Sequence, residues 1–152
     1  MELHARIEQD LRDAMKRRDT PAVSSLRMVI AALKNRAIAD GLGPQGRLDD
    51  AAVQAVIAAE AKKRREAADA FEKAGRTDAA ASEQAEAALY ANYLPTPLTD
   101  AELETIVASV IAEIGATDMK QMGVVMKEVL AKTGNRADGS RVTPLVKAKL
   151  AG

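Results

Sequence analysis

The 152 residues include no cysteine and no tryptophan. Without thiols there is neither a disulfide framework nor a thiolate metal site, and nothing in the chain ties it to a redox compartment. Aromatic residues are confined to Phe71, Tyr90 and Tyr93. A core must therefore come from Ala, Leu, Val, Ile and Met on helix faces, which makes all-α the expected class. Net charge is missing too: 22 basic residues face 22 acidic ones. That balance removes the simplest argument for unaided nucleic-acid binding and leaves only local patches. No stretch approaches the roughly 18 consecutive apolar residues of a membrane span. The charged start, Glu2-Leu3-His4-Ala5-Arg6, leads into no apolar run of signal-peptide length. A cytoplasmic protein with no membrane partner is expected.

Catalytic groupings are equally scarce. His4, the only histidine, has no neighbouring serine or carboxylate pattern that recommends it as a base, and is expected to face solvent. The carboxylates Asp49, Asp50, Glu60, Glu66, Asp69 and Glu72 fall at capping or helix-pair positions rather than in a converging ligand set. The expectation is no catalytic residue, no metal and no cofactor.

What is present is helical periodicity. Leu3, Ile7, Leu11 and Met15 recur every four residues and define a first helix ending near Lys16-Arg17-Arg18-Asp19, whose bases complement the negative end of the helix dipole. Thr20-Pro21 reads as an N-cap and first helical position, with Val23, Leu26, Ile30, Leu33 and Ala37 carrying an antiparallel second helix to about Asp40. After the loop 41–46, Asp49 caps a third helix from Asp50 to Ala74, which Gly75 closes. A fourth, alanine-rich helix places Ala85, Leu89 and Tyr93 in line. Two prolines then forbid continuous helix through Tyr93-Leu94-Pro95-Thr96-Pro97-Leu98. The boundary is placed there, giving a multi-helical N-terminal domain (1–94) and a three-helix tail (95–152).

In the tail, Thr99-Asp100-Ala101-Glu102 fits a capping box. A sixth helix starts at Met119, capped by Thr117 or Asp118, with Met119, Met122, Met126 and Val129 on one side. The last helix starts either at Ser140 or at Thr143-Pro144.

Two stretches are candidates for function. The third helix carries Glu60-Ala61-Lys62-Lys63-Arg64-Arg65-Glu66 at its centre. Glu60 and Arg64 at i,i+4 read as a pair at the core edge, while Lys62, Lys63, Arg64 and Arg65 together read as a phosphate-contacting patch. The second stretch, Met119 to Leu150, combines an amphipathic helix with the loop Gly134-Asn135-Arg136-Ala137-Asp138-Gly139. It has no evident nucleophile and reads as a binding surface.

In order along the chain stand Leu26-Arg27-Met28, Lys34-Asn35-Arg36, Lys62-Lys63-Arg64-Arg65-Glu66, Ala70-Phe71-Glu72-Lys73-Ala74-Gly75-Arg76, Tyr93-Leu94-Pro95, Met119-Lys120-Gln121-Met122-Gly123 and Arg136-Ala137-Asp138-Gly139. Taken together they resemble the YqeY-like proteins over nearly the whole length. That family is similar to the helical and tail domains ending the B subunit of the glutamine-dependent aspartyl/glutamyl-tRNA amidotransferase. The resemblance implies an all-helical fold and a tail that reaches tRNA, alongside amidotransferase or aminoacyl-tRNA machinery. It implies an RNA role for Lys120, Gly123, Arg136 and Gly139, to which Lys127, Arg141 and the third-helix cluster are added as the rest of the face. Two positions depart from the family: Asn135 stands where glycine commonly precedes Arg-Ala-Asp-Gly, and Val124 where lysine is frequent. A noncatalytic tRNA-binding module is the leading reading. The second is a helical adaptor that offers Met119, Met122 and Met126 to a partner helix. The third, carbon–nitrogen ligation with glutamine as amido donor, rests on homology alone.

Overall fold

The computed structural model describes residues 2–151, with the side chain of Asn135 outside the described residues. The described chain is all-α: α1 (Leu3–Arg17), α2 (Thr20–Ala39), α3 (Asp50–Lys73), α4 (Thr77–Ala91), α5 (Asp100–Ile114), α6 (Met122–Thr133) and α7 (Gly139–Ala151), with 3₁₀ turns at Met119–Gln121 and Gly134–Arg136. No described helix is long and apolar enough to cross a membrane. Two compact units are distinguished, 1–94 and 95–152.

In the first unit the buried face of α1 is Leu3, His4, Ile7 and Ala14, while Met15 is half exposed. Strict four-residue spacing gains about 40° per step on a helix of 3.6 residues per turn, so by Met15 the stripe has rotated outward. His4 is buried, contrary to its expected solvent exposure. Its Nε2 lies 3.3 Å from Glu8 Oε1, and Nδ1 has no hydrogen-bond partner among the described residues. The cap of α2 also sits one residue earlier than Thr20: the Asp19 carboxylate accepts from the Ala22 amide, leaving Pro21 inside the first turn. Asp49 caps α3, and its neighbour Asp50 accepts from the Leu3 amide at 2.9 Å, so one acidic pair begins α3 and holds the start of α1.

Against Leu26, Val29 and Leu33 of α2 pack Val53, Ile57 and Ala61 of α3. Buried alanines on both members, Ala61 and Ala68 on α3 and Ala80 and Ala87 on α4, let the two helices lie close together. The inward face of α4 is Ala80, Ala87 and Tyr90; of the expected line Ala85, Leu89 and Tyr93, the last two do pack on the core while Ala85 is exposed. Both tyrosines are tethered rather than free. Tyr90 is fully buried and donates its hydroxyl to the Ser25 carbonyl at 2.9 Å, and Tyr93 donates to the Asp10 carboxylate beneath the Arg6 guanidinium.

The second unit is a three-helix arrangement over a wholly aliphatic core of Leu98, Leu103, Val107, Val110, Val125, Val129, Val142, Val146 and Leu150. The capping box at Thr99 and Glu102 forms in both directions. Met119 lies outside α6, in a 3₁₀ turn that Asp118 and Gln121 cap, and it is exposed. Met122 and Met126 are partly buried against the core, whose centre on α6 is Val125 and Val129. The last helix begins at Gly139, with the Asp138 carboxylate accepting from the Ser140 amide. Pro144 is carried within it, and the Thr143 hydroxyl bonds back to the Gly139 carbonyl.

Each unit has its own closed core, so a fragment ending at Leu94 is expected to retain its helical signal and unfold cooperatively. Limited proteolysis followed by circular dichroism checks this; cutting confined to residues 41–46, or a fragment without helical signal, contradicts it.

Candidate nucleic-acid interface

The charges of the tail are segregated by helix. Asp100, Glu102, Glu104 and Glu113 lie on α5, which carries no base. Lys127, Lys132, Arg141, Lys147 and Lys149 lie on α6 and α7, where Glu128 is the sole acid. A unit with balanced total charge therefore presents a basic side, which a net-charge argument cannot detect.

The bases of that side fall into two groups. Arg136 and Arg141 are tied into the fold. Arg136 Nε donates to the Thr96 carbonyl at 2.9 Å, and its own carbonyl accepts from the Leu98 amide at 2.9 Å. Arg141 Nη2 donates to the Leu98 carbonyl at 2.8 Å and to Asp100 Oδ1 at 2.9 Å. The two arginines thus clamp the segment by which the chain enters the tail. Lys132 is paired with Glu113, whose exposed carboxyl is held below the ordinary carboxylate range by that hydrogen bond and by the lysine charge.

The side-chain ammonium groups of Lys120, Lys127, Lys147 and Lys149 have no ion-pair or hydrogen-bond partner among the described residues, and all four residues are exposed. Because α6 and α7 are joined by a short turn and pack on each other, they run in opposite directions, and α7 also meets the turn Met119–Gln121. That geometry brings Lys120 to the end of the tail that carries Lys147 and Lys149, away from the arginine clamp. Lys147 and Lys149 escaped the reading of the sequence, which gave weight to the more distinctive Arg-Ala-Asp-Gly loop; the alternation of bases with Ala148 at the chain's end was the available signal.

The glycines are placed differently from one another. Gly123 is exposed in α6, and a Cβ there would meet open space, so it leaves bare backbone at the surface between Lys120 and Lys127. Gly139 opens α7 with equal freedom. Gly134, at φ 56° and ψ −130°, occupies a backbone region that a side chain disfavours, and it carries the turn into the arginine loop. Val124 is 56% exposed where a lysine would extend the basic surface.

On α3 the cluster divides in the same manner. Arg64 is buried to four-fifths and reaches across to α4, with Nη1 3.3 Å from Glu83 Oε2 and 3.8 Å from Glu86 Oε2. Glu60 pairs instead with Lys63 at 3.2 Å, so the expected Glu60–Arg64 contact gives way to a cross-helix one. Burial and the nearby Glu83 charge raise the Glu86 carboxyl above its ordinary value despite Arg64. Arg65 is exposed and Lys62 points outward with it. Only part of the cluster is therefore presented to solvent.

No group of three or more His, Asp or Glu among the described residues could hold a metal ion. The chain is thus, in class, an all-helical protein of two units with a lysine-bearing tail. By its sequence it belongs to the YqeY-like protein family, whose model matches residues 4–150. No curated protein matches it.

Proposed function

We propose that the chain is a noncatalytic tRNA-binding module whose tail contacts the sugar–phosphate backbone through Lys120, Lys127, Lys147 and Lys149, with the exposed Gly123 admitting close approach. The observation that carries this reading is the set of four unpartnered lysines on the basic side of a charge-segregated unit. Unpaired ammonium groups give up no existing ion pair when they meet a phosphate, whereas Arg141 would have to give up its bonds to Leu98 and Asp100. The similarity of YqeY-like proteins to the tail of the tRNA amidotransferase B subunit supports tRNA over other polyanions. The adaptor reading has less support, since two of its three methionines pack against the core.

Fluorescence anisotropy with bulk tRNA over a salt series tests the proposal. Binding in the micromolar range is expected, with a log–log salt slope of roughly 0.7 to 0.9 per phosphate contact. Lys120→Ala with Lys127→Ala should make the slope shallower by about 1.4 to 1.8 and leave the melting temperature nearly unchanged. Loss on mutating Lys62 and Lys63 but not the tail lysines would move the site to α3. Wild-type affinity no better than that of an unrelated neutral helical protein would end the RNA reading.

A further inference from the structure

A second surface lies on α2, in the other unit, and the proposed function leaves it unused. Over Thr20–Ala39 the helix contains Arg27, Lys34 and Arg36 and no acidic residue. Its core face is Ala22, Ser25, Leu26, Val29, Leu33 and Ala37. The opposite face is Ser24, Arg27, Met28, Ala31, Lys34, Asn35 and Ile38, all exposed, with Met28 at 38% and Ile38 at 53%. Arg36 is occupied by Asp40 at 2.9 Å. Arg27 and Lys34 have no partner among the described residues. They are two helical turns apart along one border of the face, while Met28, Ala31 and Ile38 form its apolar middle with the small Ala31 as a notch between two larger side chains.

From this arrangement we infer that the outward face of α2 is a docking site for an acidic amphipathic helix of a partner protein. Each element of the face selects that occupant. The apolar middle is what a helix covers when it lies alongside another, and the small residue at its centre permits a side chain of the partner to seat. Cations seven residues apart match acids seven residues apart on a neighbouring helix, a spacing that returns to nearly the same side after two turns. A second copy of α2 is excluded as the occupant by charge, since with no acid in the helix the self-pair would set cation against cation. A nucleic acid would use Arg27 and Lys34 but would lay its polar backbone over Met28 and Ile38, for which phosphate has no use.

The test uses the full-length protein labelled with ¹³C at Met and Ile methyl groups. The probe is a synthetic helical peptide of about four turns, long enough for the ~21 Å of the face, with leucines on one side and glutamates seven apart on its border. A control peptide has lysine in place of each glutamate. The Met28 and Ile38 methyl signals, assigned through Met28→Leu and Ile38→Val, should shift on adding the acidic peptide and stay unmoved with the basic one. Arg27→Glu with Lys34→Glu should weaken the acidic peptide at least tenfold and admit the basic one. Arg27→Gln with Lys34→Gln should weaken the first without admitting the second, at unchanged helical signal. Unmoved methyls, or equal response to both peptides, overturns the inference. So does a response to an RNA hairpin or to phosphatidylserine vesicles in the absence of any response to the acidic peptide, either of which would give the face to another class of ligand. Because α2 lies in the first unit and the tRNA proposal rests on tail lysines, failure of one leaves the other standing.

Discussion

Tyr90→Ala is expected to cost the first unit about 3 to 5 kcal/mol, the range for deleting a large buried ring. Tyr90 is the largest fully buried side chain described, and it fastens α4 to α2 through its bond to the Ser25 carbonyl. Burial pushes its hydroxyl up to about 12, so the group remains a neutral donor throughout the physiological range. The other ring of that core, Tyr93, is held by Asp10 and Arg6 and is not free to lean into the space left behind. For a unit of this size the melting temperature should fall by more than about 12 °C, taking ~4 °C or more per kcal/mol. Tyr90→Phe keeps the packing and removes only the second bond to the Ser25 carbonyl, which still accepts within α2, so a loss of about 0.5 to 1.5 kcal/mol is expected. Thermal melts followed by circular dichroism check both. Amide exchange at Val125 and Val129 should be unchanged, since those residues belong to the core of the other unit. A Phe variant as damaged as the Ala variant would show that the hydroxyl, and not the ring, holds the helices.

The next largest effect is expected at Arg64. Removing its guanidinium leaves Glu83 and Glu86 facing each other on α4, both more than two-thirds buried, with the like charges no longer offset. Breaking a fully buried pair by deleting one partner costs about 3 to 5 kcal/mol; with 19 to 28% of each side chain still in contact with water, about 2 to 3 kcal/mol is the expected loss for Arg64→Ala at neutral pH. The pH dependence has a definite sign. The Glu86 carboxyl is raised in the folded protein by desolvation and by Glu83, and the Ser25 hydroxyl and Arg64 only partly oppose this. A raised carboxyl favours the folded state while protonated, and that advantage disappears as pH climbs through the folded value. The penalty of Arg64→Ala should therefore be greatest at pH 7 and shrink as the pH falls toward the ordinary carboxylate range. Glu86→Gln in the same background should restore part of the loss at pH 7 and little in acid. Denaturant titrations at the two pH values measure this directly; a penalty independent of pH would mean that packing of the arginine stem, and not its charge, is what α4 requires.

The parts of the fold that could be read from the sequence are those decided within one or two turns. The capping box at Thr99 and Glu102, the Asp49 cap and the Gly75 termination all depend on neighbours three or four residues away, and the structure has them. Face assignments fared less well on α1, where a strict four-residue spacing drifts off the buried face by Met15, and on α4, where alanine is too abundant to mark a stripe. Ala14 and Ala80 are buried while Ala85 is exposed, and hydrophobicity alone does not separate them. The division of the basic residues was not legible at all. Whether an arginine is available depends on partners such as the Thr96 carbonyl, which lies 40 residues from Arg136, and Glu83 on the helix after Arg64. Those contacts arise from the packing of helices, and no local spacing announces them.

The entry clamp carries an implication for how this part of the chain tolerates change. Arg136 and Arg141 address the carbonyl oxygens of Thr96 and Leu98, and every amino acid supplies that acceptor. Residue 96, exposed and recognised only through its main chain, is thus free to drift among relatives. The two arginines are more constrained: lysine offers a point charge on a flexible stem, without the rigid planar group that aims Arg136 Nε and Arg141 Nη2 at these oxygens. Substitution should accordingly be permissive on the side that accepts and restrictive on the side that donates, an asymmetry visible in a saturation library of this segment long before any ligand is known.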